Sequence, residues 1–338
     1  QDEGLGRFYR FPVLLREIRE LNADVLCFVE LDSFAQFRYV LDQAGYDAVF
    51  QERPGRRDGC GIFWRRSVFE AAAAAGGIVF SQPANDRIAL AQPLRHLPTG
   101  NPLMVVSTHL YFDQAAGYQA AEARELLEFA RTHAAASGPG FDSAGVVLAG
   151  DLNTVPGSEA YELLRERLAD AAAPYSAGQF TSMKPDVYYF AWPKEPRWSN
   201  GAWEQWHFQE GRSEVIDYVM FDDAALELEV PVALPALDAL TGKPPYGFWA
   251  GGWDFQSSPA EGLDENRYNL EWAPARDSRR LQLGIPNRLH GSDHIPVSCR
   301  LRFRHVPPVA SGSADAGAAR PAPALPGGIS YAAAARRR

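Results

Sequence analysis

Apolar positions in this chain change their period several times, and each change marks an element. Phe11, Leu14, Ile18 and Leu21 recur at the spacing of one helical face. Asp24 to Glu30 then reads as a short, almost wholly apolar strand. Phe34, Phe37 and Leu41 predict a second helix, closed by Gly45. Strands are predicted at 48–51, 60–65, 88–94 and 103–110, and the stretch from Ala115 to Ala136, rich in Ala, Glu, Arg and Leu, predicts a helix. Another strand ends at Gly150, after which Ser158 is placed to cap a helix carrying Leu163 and Leu164. Late strands are predicted at 215–221 and 296–303, and no internal repeat is visible.

Strands joined sometimes by helices and sometimes by turns predict the α/β class, as a sandwich of two sheets with helices on the outer faces. Residues 222–284 break the pattern. They are rich in Gly, Pro and Trp with weak periodicity, which predicts a long surface excursion from the core. From His305 the composition collapses to Ala, Pro, Gly and Ser and ends in three arginines, so a domain at 1–304 is expected to be followed by a disordered tail at 305–338.

With 338 residues, 46% of them hydrophobic and 12% aromatic, the chain has enough apolar surface for one substantial core. A net charge of −9 gives no general footprint for nucleic acid, so any polyanion must be held by a local patch or by cations. Cys27, Cys60 and Cys299 are an odd set, and two lie in apolar strand patterns. Buried reduced thiols are expected, which favours an intracellular, cytoplasmic address, with an organelle or the nucleus left open. No run approaches the length of a membrane span, so no membrane partner is expected, and the start lacks a charged-then-apolar signal pattern.

Two acidic motifs, each beside an apolar run, carry the candidate chemistry. Val146 to Ala149 leads into Gly150-Asp151-Leu152-Asn153, and Gly291-Ser292-Asp293-His294 precedes the alternating Val297, Cys299, Leu301 and Phe303. Metal-assisted cleavage of a phosphate ester needs hard oxygen ligands, a group to orient water and a donor to the developing charge. Aspartate, asparagine and histidine supply those roles, and the chain reads as a phosphoesterase. Asp151 and Asn153 are one residue apart and would share a side on an extended chain, although Asp-x-Asn is also a common turn.

Five pieces in order resemble the endonuclease/exonuclease/phosphatase superfamily, the group of deoxyribonuclease I and the inositol polyphosphate phosphatases. They are Ala23-Asp24-Val25-Leu26-Cys27-Phe28-Val29-Glu30, Ser107-Thr108-His109-Leu110, Gly150-Asp151-Leu152-Asn153, Ile216-Asp217-Tyr218 and Ser292-Asp293-His294. Asp58-Gly59-Cys60-Gly61-Ile62-Phe63 and Gly284-Ile285-Pro286-Asn287-Arg288-Leu289 are similar to the nocturnin/Angel-type deadenylase branch. The resemblance implies a deoxyribonuclease I-like catalytic domain from about Leu14 to Phe303. The Asn-ending strand that opens the family pattern has no counterpart before Phe11, so a chain extended upstream of Gln1 is expected to be more stable and more active.

The same resemblance implies the site. Glu30 and Asp293 would hold Mg²⁺, with Mn²⁺ as a substitute. Asp151 would orient or deprotonate water, Asn153 would bond phosphate and water, and His109 and His294 would stabilise charge on the phosphate. Asp217 would hydrogen-bond His294 and fix its tautomer, or else form a purely structural pair with it. Gln119 and Glu122 stand where relatives carry Arg-x-x-Gln. Arg288 could hold a phosphate or pair with a carboxylate. Trp206, with Trp192, Trp198 and Trp203, could stack bases or pack an insertion onto the core. The expected activity is a 3′-5′ exoribonuclease of the poly(A) deadenylase type acting on an RNA 3′ end. A phosphatase for a small nucleotide, including a phosphorylated dinucleotide, or a catalytically silent interaction protein are the alternatives.

Overall fold

The computed structural model describes residues 7–82, 86–176, 179–184, 187–190, 206–209, 212–234, 292, 294–304 and 329–330, with only the backbone at 7–9, 183–190, 206–209, 212–213 and 329–330. In chain order the elements are α1 (Arg7–Leu21), β1 (Val25–Phe28), α2 (Phe34–Gln43), β2 (Tyr46–Glu52), β3 (Gly59–Arg65), β4 (Phe69–Ala71), β5 (Gly76–Val79), β6 (Ile88–His96), β7 (Pro102–His109) and α3 (Tyr118–Ala136). The chain continues through β8 (Gly145–Asp151), α4 (Glu159–Arg165), β9 (Ala169–Asp170), β10 (Ser182–Lys184), β11 (Val187–Phe190), β12 (Trp206–Gln209) and β13 (Arg212–Glu214). It closes with β14 (Asp217–Phe221), β15 (Leu226–Val230), β16 (Arg300–Phe303) and β17 (Ile329–Ser330).

The central sheet has seven strands in the order β4-β6-β7-β8-β14-β9, with β5 also pairing β6. Period-two alternation sorts its side chains into two cores. Ala89, Ala91, Met104, Val106, Leu148 and Met220 face α3 and α4, with Ala123, Leu126 and Leu164 across from them. Ile88, Leu90, Leu103, Val105, Val147, Val219 and Phe221 face the other way, against Val25, Ile62 and Trp64 of the β1-β3-β2 sheet and Leu301 of β16. A third core lies between that second sheet and the first two helices, built from Ile18, Leu26, Phe37, Leu41 and Phe63. Helices therefore cover both outer faces of two packed sheets, the α/β sandwich that the alternation predicts. Among the described residues no helix is long and apolar enough to cross a membrane.

Parallel strands need a long crossover, and α3 supplies it between β7 and β8. Its register pairs Thr108 with Gly150 and His109 with Asp151. The glycine is required there, because a Cβ on Gly150 would sit 1.9 Å from the Thr108 carbonyl oxygen. On the other edge of β8, antiparallel β14 pairs Asp217 with Asp151.

Three expectations change. The first part of the 222–284 stretch belongs to the core: β15 pairs β16, and Leu226 is fully buried. Leu226 and Leu228 alternate with Glu227 and Glu229, a strand signal that the surrounding composition masks; 235–284 lies outside the described residues. The strand predicted at 296–303 begins only at Arg300, and Pro296, with no N–H to give to a ladder, lies outside it. Within the stretch read as a tail, Ile329–Ser330 pairs with β16 through its backbone. The short strands β4, β5 and β9 carry too few residues for any periodicity to show.

Gly150→Ala is expected to force β7 and β8 apart and to destabilise the fold by about 1–3 kcal/mol or more. Urea unfolding measures this, and a variant as stable as the parent would show that the close approach at Thr108 relaxes without loss.

Candidate active site

His109, Asp151 and Asp217 end or begin three neighbouring strands and are cross-strand partners, so they form one row along the sheet margin. His109 Nε2 lies 3.5 Å from Asp151 Oδ2. His294 closes the row from outside the sheet: its Nδ1 is 2.8 Å from Asp217 Oδ2, and its Nε2 is 4.0 Å from Asp151 Oδ2. Thr181, fully buried, sets this contact from both sides. Its hydroxyl accepts from the backbone N–H of Ile216 and of Asp217 at 3.0 Å each, while its carbonyl accepts from Ile295 N–H at 2.6 Å.

The Asp151–Asn153 segment is not extended. Asn153 has φ 47°, and its N–H donates to Asp151 Oδ1 at 2.8 Å, which is the geometry of an Asx turn. Its side-chain amide donates to the Leu110 carbonyl at 3.0 Å, while Leu110 N–H donates to the Asp151 carbonyl at the same distance. The same-side reading therefore gives way to a turn. Asn153 braces the segment after His109 and keeps its remaining amide positions for other partners.

Glu30 follows β1 with φ 51° and an exposed side chain. Its Oε1 lies 3.8 Å from both His109 Nδ1 and Arg53 Nη2. Asp293 and Arg288 lie outside the described residues, as do Trp192, Trp198 and Trp203. Trp206 is placed by its backbone in β12, opposite Phe190, and its side chain lies outside the described atoms.

The match to the Endonuclease/Exonuclease/phosphatase family runs over residues 13–294. The chain belongs to this family. Protein angel homolog 2 of Homo sapiens is 31% identical over 174 residues, which is 47% of this chain and 31% of that protein. The CCR4-Not complex 3′-5′-exoribonuclease subunit Ccr4 of Yarrowia lipolytica is 31% identical over 142 residues, 33% of this chain and 20% of that one. The chain thus spans about a third of the length of the angel relatives it matches. The crystal structure of ANGEL2, a 2′,3′-cyclic phosphatase, in complex with adenosine-2′,3′-vanadate aligns with TM-score 0.53 and 18% identity, covering 89% of this chain and 87% of that one. That likeness shows the common fold.

In this endonuclease/exonuclease/phosphatase family member, several residues at the site carry no signal in the sequence pattern. Arg87, at the start of β6, places Nη1 3.0 Å from both ring nitrogens of His109, so the guanidinium packs against the imidazole. Arg53 bonds Asp58 and lies between Glu30 and Asp86, and Arg56 reaches the same Asp86 at 3.3 Å. Both Arg53 and Arg87 are buried. Asp58 and Asp86 supply countercharge, as buried cations require. Gln119 and Glu122 clamp Tyr111 rather than substrate: Gln119 Nε2 donates to the Tyr111 carbonyl, and Glu122 accepts from Tyr111 N–H, both at 2.7 Å.

Burial and then the Asp217 charge push Asp151 up to about 8, with Glu30 adding a smaller push, against the pull of His294 and the Asn153 N–H. Asp151, Asp217 and His294 each offer one ligand atom within 4.8 Å of the others, the one such metal-holding group among the described residues. The two carboxylates repel each other in a buried site, a repulsion that a divalent cation beside the row would relieve. Cys27 and Cys60 are free thiols that burial pushes up to about 12, so they are inert packing groups.

Without metal, folded Asp151 keeps a proton that the unfolded chain, with an ordinary value of 3.8, releases. Its contribution to stability therefore falls as pH rises from 3.8 toward about 8. Asp151→Asn, measured in chelator, should gain melting temperature relative to the parent at pH 8 and show a smaller gain at pH 5. A gain independent of pH would mean that Asp151 is already ionised in the folded protein.

Proposed function

We propose that this protein is a Mg²⁺-dependent phosphoesterase acting on the 3′ end of RNA, of the exoribonuclease and deadenylase type. The observation that carries the reading is the row of His109, Asp151 and Asp217 across three strands, closed by the 2.8 Å Asp217–His294 contact. In that arrangement Asp217 fixes the His294 tautomer, leaving Nε2 to face the reacting phosphate. Asp151, its carboxylate already disposed to hold a proton, orients and deprotonates the attacking water. Asn153 donates to a phosphate oxygen, and His109 stabilises the charge that develops on the non-bridging oxygens.

A divalent cation, when bound, polarises the phosphoryl group and lowers the pKa of a water. Glu30 is the favoured holder, together with Asp293 by resemblance, because its carboxylate is exposed at the margin of the row. Asp217 Oδ2 is committed to His294 at 2.8 Å, so a cation held there would compete with the bond that orients the imidazole.

Similarity to the CCR4-Not complex 3′-5′-exoribonuclease subunit Ccr4 supports an RNA end as substrate. The ANGEL2 fold likeness favours one second reading, removal of a 2′,3′-cyclic phosphate from an RNA end by the same row of residues.

The deciding assay offers the purified protein with Mg²⁺ four substrates: oligo(A), mixed RNA, RNA ending in a 2′,3′-cyclic phosphate, and small phosphorylated nucleotides. Release of 5′-mononucleotides from the first two is expected, and cleavage confined to the last would reject the RNA reading. Chelation should abolish turnover, and Glu30→Gln should weaken Mn²⁺ binding in titration calorimetry, whereas Asp217→Asn should bind Mn²⁺ like the parent. Asp217→Asn should instead lower kcat by on the order of 10²–10⁴-fold with the fold intact, because an amide favours the wrong tautomer. Wild-type turnover by that variant would make the Asp217–His294 pair purely structural.

A further inference from the structure

Phe112 is a large apolar side chain left 55% exposed three residues beyond His109. Single exposed hydrophobic residues are ordinary, but this one stands on an unusually well-fixed loop. Leu110 is tied to Asp151 and Asn153 on both of its backbone groups, and Tyr111 is tied to Glu122 and Gln119 on both of its own. Asp113 then caps the short turn at Gln114–Ala116 by accepting from Ala115 N–H at 3.0 Å. Holding the loop requires burying Gln119 and Glu122 almost completely, and burial pushes the Glu122 carboxyl up to about 7.

The aromatic neighbours are fixed as well. The Tyr111 ring centroid lies 4.9 Å from Phe112 and 5.2 Å from Tyr118. The Arg87 guanidinium is 6.0 Å from the Phe112 centroid while its Nη1 packs on His109. One cation therefore links the exposed ring to the phosphate-facing histidine. A rigid loop that presents an aromatic face to water beside a charged site is preorganised for a flat apolar ligand group attached to an anion. A nucleobase joined to its phosphate has that chemistry. A sugar phosphate lacks the flat face, and a lipid chain would need a wider apolar patch than one ring.

We infer that Phe112 is the platform on which the base of the 3′-terminal nucleotide, the one bearing the scissile phosphate, stacks, and that Tyr111, Gln119 and Glu122 hold the ring for it. This rests on the phosphoesterase reading above and adds to it the residue that holds the substrate's base.

The test compares two RNA oligonucleotides with the same scissile phosphate, one with adenine on the 3′-terminal nucleotide and one abasic there. Base–aromatic stacking shifts affinity by roughly 5- to 150-fold per base. Phe112→Ala should therefore lower the preference in kcat/KM for the adenine-bearing RNA over the abasic one by about tenfold, and Phe112→Trp should keep it. Equal loss on both substrates, or no change in the ratio, would overturn the inference. A readout without turnover separates it from the catalytic reading: in chelator, binding should quench the fluorescence of a 2-aminopurine placed at the 3′ end, and Phe112→Ala should remove the quench. If the parent cleaves none of the esters, the phosphoesterase reading fails, and the quench alone then decides whether Phe112 stacks a base. Phe112→Ala should melt with the parent, because the side chain it removes is exposed.

Discussion

Everything at the site depends on the locked register of β7, β8 and β14. Parallel pairing on one edge of β8 and antiparallel pairing on the other bring His109 and Asp217 to opposite sides of Asp151. A slip of one residue would turn each of these side chains to the other face of the sheet. The register is held from within by the two apolar cores that the strands alternate between, and at the margin by Gly150, where no side chain fits beside Thr108. Packing of apolar residues far from the chemistry thus sets the spacing of the charged ones.

That spacing creates an electrostatic problem, and the surrounding residues are arranged around it. Asp151 is buried between a second carboxylate and two imidazoles, so its charge is costly unless a proton or a cation is present. On the opposite flank, buried Arg53 and Arg87 carry positive charge toward Glu30 and His109 and are balanced by Asp58 and Asp86. Carboxylates, imidazoles and guanidiniums set within a few ångströms of one another suit a reaction in which negative charge moves between oxygens of a phosphate. The same buried groups that would serve catalysis weigh against stability in the metal-free protein, a common feature of preorganised sites.

The loops around the row are braced by side-chain-to-backbone hydrogen bonds rather than by further strands. Asn153 and Thr181 do for the Asp151 and Asp217 segments what Gln119 and Glu122 do for the segment after His109. Each uses a buried polar group that is satisfied only when its loop is in place, so the loop geometry and the burial enforce one another.

By itself the sequence determined the framework and the family. Short apolar runs at 88–94, 103–110 and 215–221 and the Ala-, Glu-, Arg- and Leu-rich stretch at 115–136 marked the central sheet and its crossover, because strands buried on both faces read as continuous apolar runs even in a single chain. The ordered motifs at Glu30, His109, Asp151 and Asp217, with His294, named the residues that the fold gathers. What the tertiary structure alone decided were contacts between residues with no periodic or motif signal. Arg87 on His109, Arg53 beside Glu30, and Thr181 under Asp217 are each separated from their partners by more than twenty residues and are set by strand order and register. The Asp151–Asn153 turn belongs to the same class: spacing allowed an extended pair or a turn, and the hydrogen bond to the Leu110 carbonyl, forty-three positions away in the chain, selected the turn. Local patterns record which way each residue faces. Which partner it meets depends on how the sheets close.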